Sequence, residues 1–253
     1  VEHTLLETDR MNGNFTYAYR IESRISPDDD IFRFYASHPS CTNPIRDYLS
    51  DGWRTMVELS RLLESLDRPL GRCGSFLEFA SGFGRFSRHL AKALPEGALH
   101  VSDVVPGSVD FLKQHLGVDG FYSVSDPGKL APPRKYEVIF VLSLFSHLPE
   151  STWSTWLTRL YDTLEDDGIL IITTHGEKCA RLMGVSFPPN GFLFIPSSES
   201  KALPGEEYGS TFTSTDYVRQ AISHHLRNAA IHEFPAHFWG NQDGFAIVKG
   251  RQA

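Results

Sequence analysis

The feature that most constrains this chain is a regular alternation of apolar segments and helical patterns between residues 75 and 174. Apolar residues recur at helical spacing after the first segment, at Phe86, Leu90 and Leu94, and again beyond Pro149. Apolar strands that alternate with helices predict a parallel sheet covered on both faces, whose strand carboxyl ends form one ligand-binding edge. The strands predicted in this way are SFLEF (75–79), ALHVSD (98–103), FYSV (121–124), YEVIFVL (136–142) and ILIITT (169–174).

The last part of the chain predicts the other end of this sheet. Ser214 caps a predicted helix that runs to about His225, and the segments NAAIHEF (228–234) and GFAIVKG (244–250) follow it. Because a short glycine-containing connection joins these two segments, they are expected to pair antiparallel. The predicted fold class is therefore α/β, a Rossmann-like doubly wound, mostly parallel seven-stranded sheet with an antiparallel C-terminal hairpin.

Composition argues against several classes of protein. The net charge of −7 and the pI near 5.9 argue against a nucleic-acid or anionic-membrane binder, so the expected partner is a small molecule. The three cysteines lie far apart and form no CxxC pattern, which predicts reduced thiols and no zinc site. The N-terminus VEHTLLETDR lacks a signal-peptide layout, and no apolar run approaches the ~20 residues that span a bilayer. We therefore expect a cytoplasmic location, and the sequence leaves the oligomeric state open.

A glycine turn follows the first predicted strand in SFLEFASGFGRFSRHLAKAL. Gly82 and Gly84 let the backbone approach a ligand closely at the start of a helix. A dinucleotide fingerprint would need a third glycine or alanine at Ser87, and it would place a pyrophosphate at this helix. The acid Glu78 at the strand tip would repel a pyrophosphate, whereas it suits a cation or a hydroxyl donor.

LEFASGFGRF resembles the first motif of the class I S-adenosylmethionine-dependent methyltransferases, in which an acid precedes three alternate glycines. Ala80 stands in place of the first glycine. Asp103 lies 19 residues beyond Gly84 and matches the ribose-binding acid of the family. YEVIFVLSLFSHLPESTW is similar to the fourth-strand segment of the family and LEDDGILIITTHGE to its fifth. The resemblance extends from about Ser75 to Gly176 and implies S-adenosylmethionine as cofactor.

The resemblance also implies roles for individual residues. Asp103 is expected to accept hydrogen bonds from both ribose hydroxyls, and Glu78 to act near the methionine end. Ser125 and Asp126, after the third strand, are expected near the adenine. The complete predicted cofactor set is Glu78, Ala80, Gly82, Gly84, Asp103, Ser125, Asp126 and Ser143.

Residues 71–253 are expected to form the cofactor-binding domain, with an insert at about 185–212. Residues 1–70 are expected to form an N-terminal segment and helix that cap the substrate side. Asn43-Pro44 marks the start of this helix, as a cap followed by proline at the first helical position. The residues expected to face the core from it are Tyr48, Leu49, Trp53, Met56, Val57, Leu59, Leu63 and Leu66.

Two histidines follow predicted strands at the ligand edge, His147 in LFSHLPE and His175 in TTHGE. An alcohol that accepts a methyl group has to lose its proton, so a base near the reacting oxygen is expected. Both histidines are candidates for this catalytic role. No spacing of His, Asp and Glu indicates a metal site, and none is expected.

The methyl acceptor is expected between the N-terminal segment, the insert and the last turn, where GEEYGSTF contributes Tyr208 and HFWGNQDG contributes Trp239, Gln242 and Asp243. Aromatic and hydrogen-bonding side chains together suit a sugar or another polyhydroxylated, natural-product-like acceptor. SLFSHLPE and THGE also resemble methyltransferases of sugar and polysaccharide biosynthesis. The predicted function is O-methylation of a small-molecule hydroxyl.

Two alternatives stay open. An NAD(P)-dependent Rossmann oxidoreductase shares the strand–turn–helix pattern, but Glu78 and Ser87 disfavour it, and no Tyr-x-x-x-Lys pair is apparent. A cofactor-binding module without catalysis, which would serve as a partner for another enzyme, keeps the same acid and glycine positions.

Overall fold

Seven strands form the main sheet of the computed structural model, in the order β3-β2-β1-β4-β5-β9-β8. Strands β1 to β5 run parallel, and β9 pairs antiparallel with both β5 and β8. This arrangement confirms the predicted fold class. The strands of this sheet are β1 (Phe76–Phe79), β2 (Leu99–Asp103), β3 (Asp119–Tyr122), β4 (Tyr136–Val141), β5 (Leu164–Thr174), β8 (Ala229–Phe238) and β9 (Gln242–Lys249).

The structure describes residues 20–197 and 203–251. Residues 1–19 of the predicted N-terminal segment, residues 198–202 of the predicted insert and residues 252–253 lie outside the described residues. The described α-helices are α1 (Asp30–Ser37), α2 (Pro44–Ser65), α3 (Ser87–Ala93), α4 (Ser108–Leu116), α5 (Glu150–Asp162), α6 (Glu177–Leu182) and α7 (Thr215–His225).

Helices cover both faces of the sheet because its strands are apolar on both sides. Along β1, Leu77 packs with the side chains of α5 and α7, whereas Phe76 points to the opposite face and packs with those of α2, α3 and α4. In β4, Ile139 and Phe140 alternate between the same two cores. Because both cores are apolar, polar groups concentrate at the strand ends, where the candidate site lies.

Helix α2 begins at Pro44 as predicted, and the Asn43 side chain accepts a hydrogen bond from the Arg46 N–H. The predicted core face was wrong at Trp53 and Val57, each of which is 38% exposed. The buried stripe instead passes through Gly52. A Cβ added to Gly52 would lie 2.0 Å from the carbonyl oxygen of Arg85, in the glycine turn that precedes α3. Gly52 therefore makes the close contact with this turn, and the partly exposed Trp53 packs beside it against His89 of α3, with ring centroids 6.0 Å apart.

Two further strands lie in the insert, where no strand was predicted. Strands β6 (Phe192–Ile195) and β7 (Ser210–Thr213) pair antiparallel in a separate sheet. Strand β3 also lies two residues earlier than predicted, at 119–122 in place of 121–124. Strand β5 begins at residue 164, before the predicted residue 169, with an irregularity in its pairing to β4.

Candidate active site

The turn between β1 and α3 contains three residues with positive φ, namely Ala80 (62°), Gly82 (54°) and Gly84 (84°). The two glycines have different surroundings. A Cβ added to Gly82 would meet no atom within 4 Å, whereas one added to Gly84 would lie 2.3 Å from Leu112 Cδ2. Gly82 therefore borders open space that a ligand can use, and Gly84 permits the turn to pack against α4.

Asp103 ends β2 beside this turn. Its Oδ2 accepts a hydrogen bond from the Gly82 N–H at 2.7 Å, and its Oδ1 accepts one from the Val105 N–H at 2.8 Å. Burial raises the pKa of Asp103, and these two backbone donors oppose that shift. Each carboxylate oxygen keeps a further lone pair, so the carboxylate is held in place and can still accept from hydroxyl groups.

Glu78 lies at the tip of β1, 3% exposed. Its Oε2 has no hydrogen-bond partner in the part of the chain that the structure describes. Burial raises the pKa of Glu78 to about 8, the nearby Asp103 adds to the rise, and Arg85 opposes it. An unpartnered carboxyl oxygen at the strand tip beside the glycine turn fits a ligand with a positive, hydrogen-donating group, as S-adenosylmethionine has, and does not fit a pyrophosphate.

Ser125 and Asp126 are both exposed in the loop after β3. The Asp126 Oδ1 accepts a hydrogen bond from the Gly128 N–H at 2.9 Å, and its Oδ2 pairs with Lys129 at 3.2 Å. This carboxylate therefore caps the short 3₁₀ turn Pro127–Lys129 within its own loop. A role toward adenine stays a prediction for both residues.

A directional hydrogen-bond network joins the ends of β4, β5 and β9. The Ser143 N–H donates to Thr173 Oγ1 at 2.7 Å. The Thr173 hydroxyl in turn donates to Gln242 Oε1 at 2.7 Å. The amide nitrogen of Gln242 then donates to Ser143 Oγ at 2.9 Å and to His175 Nε2 at 3.2 Å. Because an amide nitrogen can only donate, Nε2 of His175 is the acceptor in this bond, and the proton of the neutral ring resides on Nδ1.

His175 is therefore held in its neutral form. Burial lowers the pKa of His175 to about 4, and the neighbouring His147 lowers it further. Its basic nitrogen already accepts from Gln242, so the imidazole is poorly arranged to take a proton from an acceptor hydroxyl.

His147 has the opposite arrangement. Its Nδ1 lies 2.6 Å from the Gly209 carbonyl oxygen, which can only accept, so Nδ1 carries the proton and Nε2 is the basic nitrogen. The ring stacks on Tyr208 with centroids 4.4 Å apart and an interplanar angle of 13°. The His147 and His175 rings lie 6.0 Å apart, so the structure brings both predicted histidines and Tyr208 together.

Strand β7 fixes the insert against these histidine loops. The Gly209 N–H donates to the His147 carbonyl at 2.9 Å, the Thr211 N–H to the Ser146 carbonyl at 2.7 Å, and the Thr213 N–H to the His175 carbonyl at 3.0 Å. The insert is thus part of the wall of the site. Its Pro-, Gly- and Ser-rich sequence did not predict the strand that holds it there.

Trp239 lies in the turn between β8 and β9. Its indole Nε1–H donates to Thr55 Oγ1 at 3.0 Å and its backbone N–H to Glu58 Oε2 at 3.0 Å. The Arg85 guanidinium lies over its ring, 4.9 Å from the centroid. The structure therefore places this predicted substrate residue against α2 and the glycine turn, apart from the pair of histidines.

A protein-family model described as a methyltransferase domain matches residues 77–170, which include β1 with its glycine turn, Asp103 and β4. The matched segment and the sheet that contains it have the fold of the class I S-adenosylmethionine-dependent methyltransferase superfamily. S-adenosylmethionine is the cofactor of this superfamily, which agrees with the acidic strand tip and the open side of Gly82.

Solved structures of other methyltransferases share the fold. A structure of an S-adenosylmethionine-dependent methyltransferase from Clostridium acetobutylicum superposes with a TM-score of 0.56 at 10% identity, covering 79% of this chain and 92% of that chain. Magnesium protoporphyrin IX methyltransferase from Synechocystis, solved with bound SAH, superposes with a TM-score of 0.57 at 15% identity, covering 87% and 94%.

A curated relative is malonyl-[acyl-carrier protein] O-methyltransferase 1 from Ilyobacter polytropus, 24% identical over 161 residues. The match covers 63% of this chain and 55% of the relative, so this chain matches about half of that protein's length.

Membrane-spanning helices and groups of metal ligands are both absent from the described residues. In residues 20–197 and 203–251, no helix combines the length and the apolar character that a membrane span requires. Within the same ranges, His, Cys, Asp and Glu form no group of three or more that could hold a metal ion.

Arg85, Asp51 and Thr173 are site residues that the sequence patterns did not single out. Arg85 follows Gly84 directly, so its position next to the motif was the available signal. Asp51 lies on α2 and reaches Arg85 only because Gly52 lets α2 and α3 approach closely. Thr173 looked like an ordinary residue of an apolar strand.

Proposed function

We propose that this protein transfers the methyl group of S-adenosylmethionine to a hydroxyl oxygen of a small, uncharged acceptor such as a sugar or natural product. The cofactor, when bound, supplies a methyl group activated by a positively charged sulfur. The main task of the protein is then to position two reactants and to accept one proton.

The strand tips and the glycine turn hold the cofactor in this proposal. Asp103, fixed by Gly82 and Val105, accepts from the ribose hydroxyls. Glu78 serves the positively charged end of the molecule, and Gly82 keeps side chains out of its path. Ala80, Gly84 and Ser143 shape the same edge, and Ser125 and Asp126 extend it toward the adenine.

The observation that most supports methylation of an oxygen is the hydrogen bond from His147 Nδ1 to the Gly209 carbonyl. It orients the imidazole with Nε2 as the basic nitrogen and strengthens that nitrogen as a base. His147 is therefore the base that receives the hydroxyl proton, and His175 is a neutral neighbour that shapes the pocket. The relative from Ilyobacter polytropus is an O-methyltransferase, which supports oxygen as the accepting atom.

The surroundings of the histidines support an uncharged acceptor. His147 stacks on Tyr208, and His175 accepts a hydrogen bond from Gln242. Tyr208, Ser143 and Gln242 add an aromatic face and hydrogen-bonding groups without a net charge. A malonyl group on an acyl carrier protein, as in the relative's name, is a less suitable acceptor for this wall.

Residues 20–70 fit the role of a substrate-side cap. Helices α1 and α2 line an open pocket of about 300 Å³, and its lining includes Tyr35 and Asp51, both in contact with Arg85 of the glycine turn. The remaining lining residues are Phe34, His38, Ser40, Cys41, Asp47 and Ser50. Neither an oxidoreductase nor a non-catalytic module is favoured by these features or by the matching domain.

The test pairs a product screen with a matched set of histidine variants. Methyl incorporation from S-adenosylmethionine is measured by mass across sugars and phenols, with malonyl-acyl carrier protein as the competing acceptor. His147→Asn keeps a donor toward the Gly209 carbonyl but has no basic nitrogen. We expect it to lower kcat by roughly 10²- to 10⁴-fold and to leave cofactor affinity unchanged.

His175→Gln is the control, because its amide can retain hydrogen bonding to Gln242, and it is expected to keep most of the activity. An unaltered rate in His147→Asn would remove His147 from the mechanism. Binding of NADH in preference to S-adenosylmethionine, measured by calorimetry, would overturn the proposed function as a whole.

A further inference from the structure

The open pocket of about 300 Å³ between α1 and α2 lies at the edge of the sheet that holds the glycine turn. Its lining residues Tyr35 and Asp51 both accept hydrogen bonds from Arg85, directly after Gly84. The Arg85 guanidinium lies over the ring of Trp239, in the turn that leads into β9 and the histidine network. These contacts place the pocket beside the histidines but apart from them, so the far end of a long acceptor can reach it.

Two polar side chains of this pocket keep hydrogen-bonding capacity for a ligand. Asp51 accepts from Tyr35 and Arg85 through Oδ2, and among the described residues no group donates to its Oδ1. His38 Nδ1 accepts from the Ser40 N–H at 3.3 Å, so the ring proton lies on Nε2 and can be donated. An acceptor and a donor in one pocket suit hydroxyl groups, which both donate and accept.

The two carboxylates of the pocket are each paired with an arginine. Asp51 lies 2.9 Å from Arg85 Nη1, and Asp47 lies 2.7 Å from Arg46 Nε. Because each pair is neutral as a whole, the pocket offers little net charge to attract an ammonium group. An uncharged ligand therefore fits it better than a cation does.

Phe34 adds an apolar face to the lining. Its side chain is 53% exposed, and the Tyr35 and His38 rings lie 6.1 and 5.3 Å from its ring, centroid to centroid. Small-molecule pockets combine aromatic surface with a few polar groups and start at about 300 Å³. A sugar ring, with an apolar C–H face and hydroxyl groups around its edge, is a ligand of this size and character.

We propose that the pocket between α1 and α2 is a second sugar subsite, so that the acceptor is a glycoside of two or more rings. This inference rests on the proposed function. One ring presents its hydroxyl to His147, and a further ring lies in the pocket. There Asp51 Oδ1 accepts from a hydroxyl, His38 Nε2 donates to an oxygen, and Phe34 packs against the C–H face of the ring.

The experiment compares acceptors that differ in length alone. The methyl glycosides of glucose, galactose, mannose and rhamnose are the one-ring acceptors, and methyl glycosides of their di- and trisaccharides are the longer ones. Methyl transfer from S-adenosylmethionine is followed by mass, and kcat and KM are measured for every acceptor that is methylated. We expect the best longer acceptor to have a KM roughly 10- to 100-fold below that of the one-ring acceptor with the same reacting sugar, at similar kcat, because the added ring binds without touching the reacting atoms.

Ser50→Trp fills the pocket and is the deciding variant. Ser50 is an exposed lining residue of α2, so a tryptophan there takes up the volume of the sugar without entering the core. The KM for the longer acceptor should rise to within about threefold of the one-ring value, and the one-ring kcat and KM should not change. Glu64→Trp is the matched control, because Glu64 is also exposed on α2 but lies about 21 Å further along the helix, and it should keep the preference for longer acceptors.

Alkylation of Cys41 reports on the same pocket without catalysis. Cys41 lines the pocket and is half-buried, whereas Cys73 and Cys179 are buried. A longer glycoside at saturating concentration should slow the reaction of Cys41 with iodoacetamide several-fold, measured by mass, and a one-ring glycoside at the same concentration should not. This measurement carries the test if Ser50→Trp does not fold.

Equal KM values for short and long acceptors would overturn the inference, and so would a preference for long acceptors that persists in Ser50→Trp. Alkylation of Cys41 that a long acceptor does not slow would overturn it as well. In these cases sugars are still methylated and the proposed function stands. If no sugar of any length is methylated, the proposed function fails for sugars and this inference fails with it, which is a different outcome from the others.

Discussion

Glu78 is a carboxyl group that the fold buries without giving Oε2 a partner. In the absence of a cationic ligand, burial makes the charged form of such a group less stable than the protonated form. This is why the pKa of Glu78 is raised. The same group becomes a good ligand for an ammonium when one arrives. A site built for a cation is therefore a source of instability when the cation is absent.

This property predicts how stability depends on pH. The folded-state pKa of about 8 lies above the ordinary value of 4.5, so between these values the folded protein keeps a proton that the unfolded chain has lost. The stabilising contribution is complete below pH 4.5 and is lost as pH rises through about 8. The free energy of unfolding should fall by up to about 1.4 kcal/mol per pH unit in this window.

Urea unfolding of the ligand-free protein between pH 5 and 8.5 measures this slope. Glu78→Gln cannot ionise, so its unfolding free energy should depend less on pH over the same range. Parallel profiles for the two proteins would show that Glu78 does not keep its proton in the folded state.

At the scale of single residues, residue type and spacing predicted part of the site. The strand tip, the turn and Asp103 follow from local pattern, because a strand–turn–helix connection brings nearby residues to one edge. The two glycines could not be distinguished, since the difference between them depends on Leu112 of another helix. The two histidines could not be distinguished either, because their tautomers are set by Gly209 and Gln242, which lie far away in sequence.

At the scale of elements, the ends of β4, β5 and β9 act as one unit. Their side chains form a chain of hydrogen bonds that runs from the Ser143 N–H through Thr173 and Gln242 to His175. The order of strands creates this unit, because β9 enters the sheet antiparallel to β5 and places Gln242 beside the end of that strand.

We expect Gln242→Glu to reverse the hydrogen bond at His175. A carboxylate cannot donate to Nε2 and instead stabilises a protonated ring, so the pKa of His175 should rise from about 4 to above its ordinary value of 6.5. A titration followed by nuclear magnetic resonance of the imidazole Cε1 proton, assigned by comparison with His175→Asn, measures the change.

Gln242→Met is the control for this prediction. It removes the donor without adding a charge, so His175 should stay neutral down to low pH because it is still buried. A His175 that titrates equally in the Glu and Met variants would show that burial alone, and not the orientation of the amide, sets its protonation.

Elements with a strong apolar pattern were predicted well, and those without one were not. The five parallel strands and the terminal hairpin carry strong apolar patterns. Strands β6 and β7 have four residues each and are separated by a long connection, so no local pattern pairs them. The buried face of α2 was misjudged because Gly52, which has no side chain, makes the close contact.

At the scale of the whole molecule, the buried side chain of Arg88 ties residues 22–24 to the glycine turn. Arg88 Nε donates to the Gly84 carbonyl at 2.7 Å, and its Nη1 donates to the Glu22 carbonyl at 2.6 Å and to the Arg24 carbonyl at 3.0 Å. The sequence predicted a cap from position in the chain, but not this link, which needs the folded path of residues 20–26.

This link predicts that cofactor binding stabilises the cap as well as the turn. With saturating S-adenosylhomocysteine, hydrogen exchange should slow by several-fold in residues 21–26 in addition to residues 80–88, because the Arg88 contacts open only when both segments move. Helix α7, in the core on the opposite face of the sheet, is the internal control and should exchange at an unchanged rate. In Arg88→Lys, which cannot reach both segments at once, the slowing should persist in the turn and disappear from residues 21–26. Slowing that is confined to the turn in the unmodified protein would show that the cap moves independently of the cofactor site.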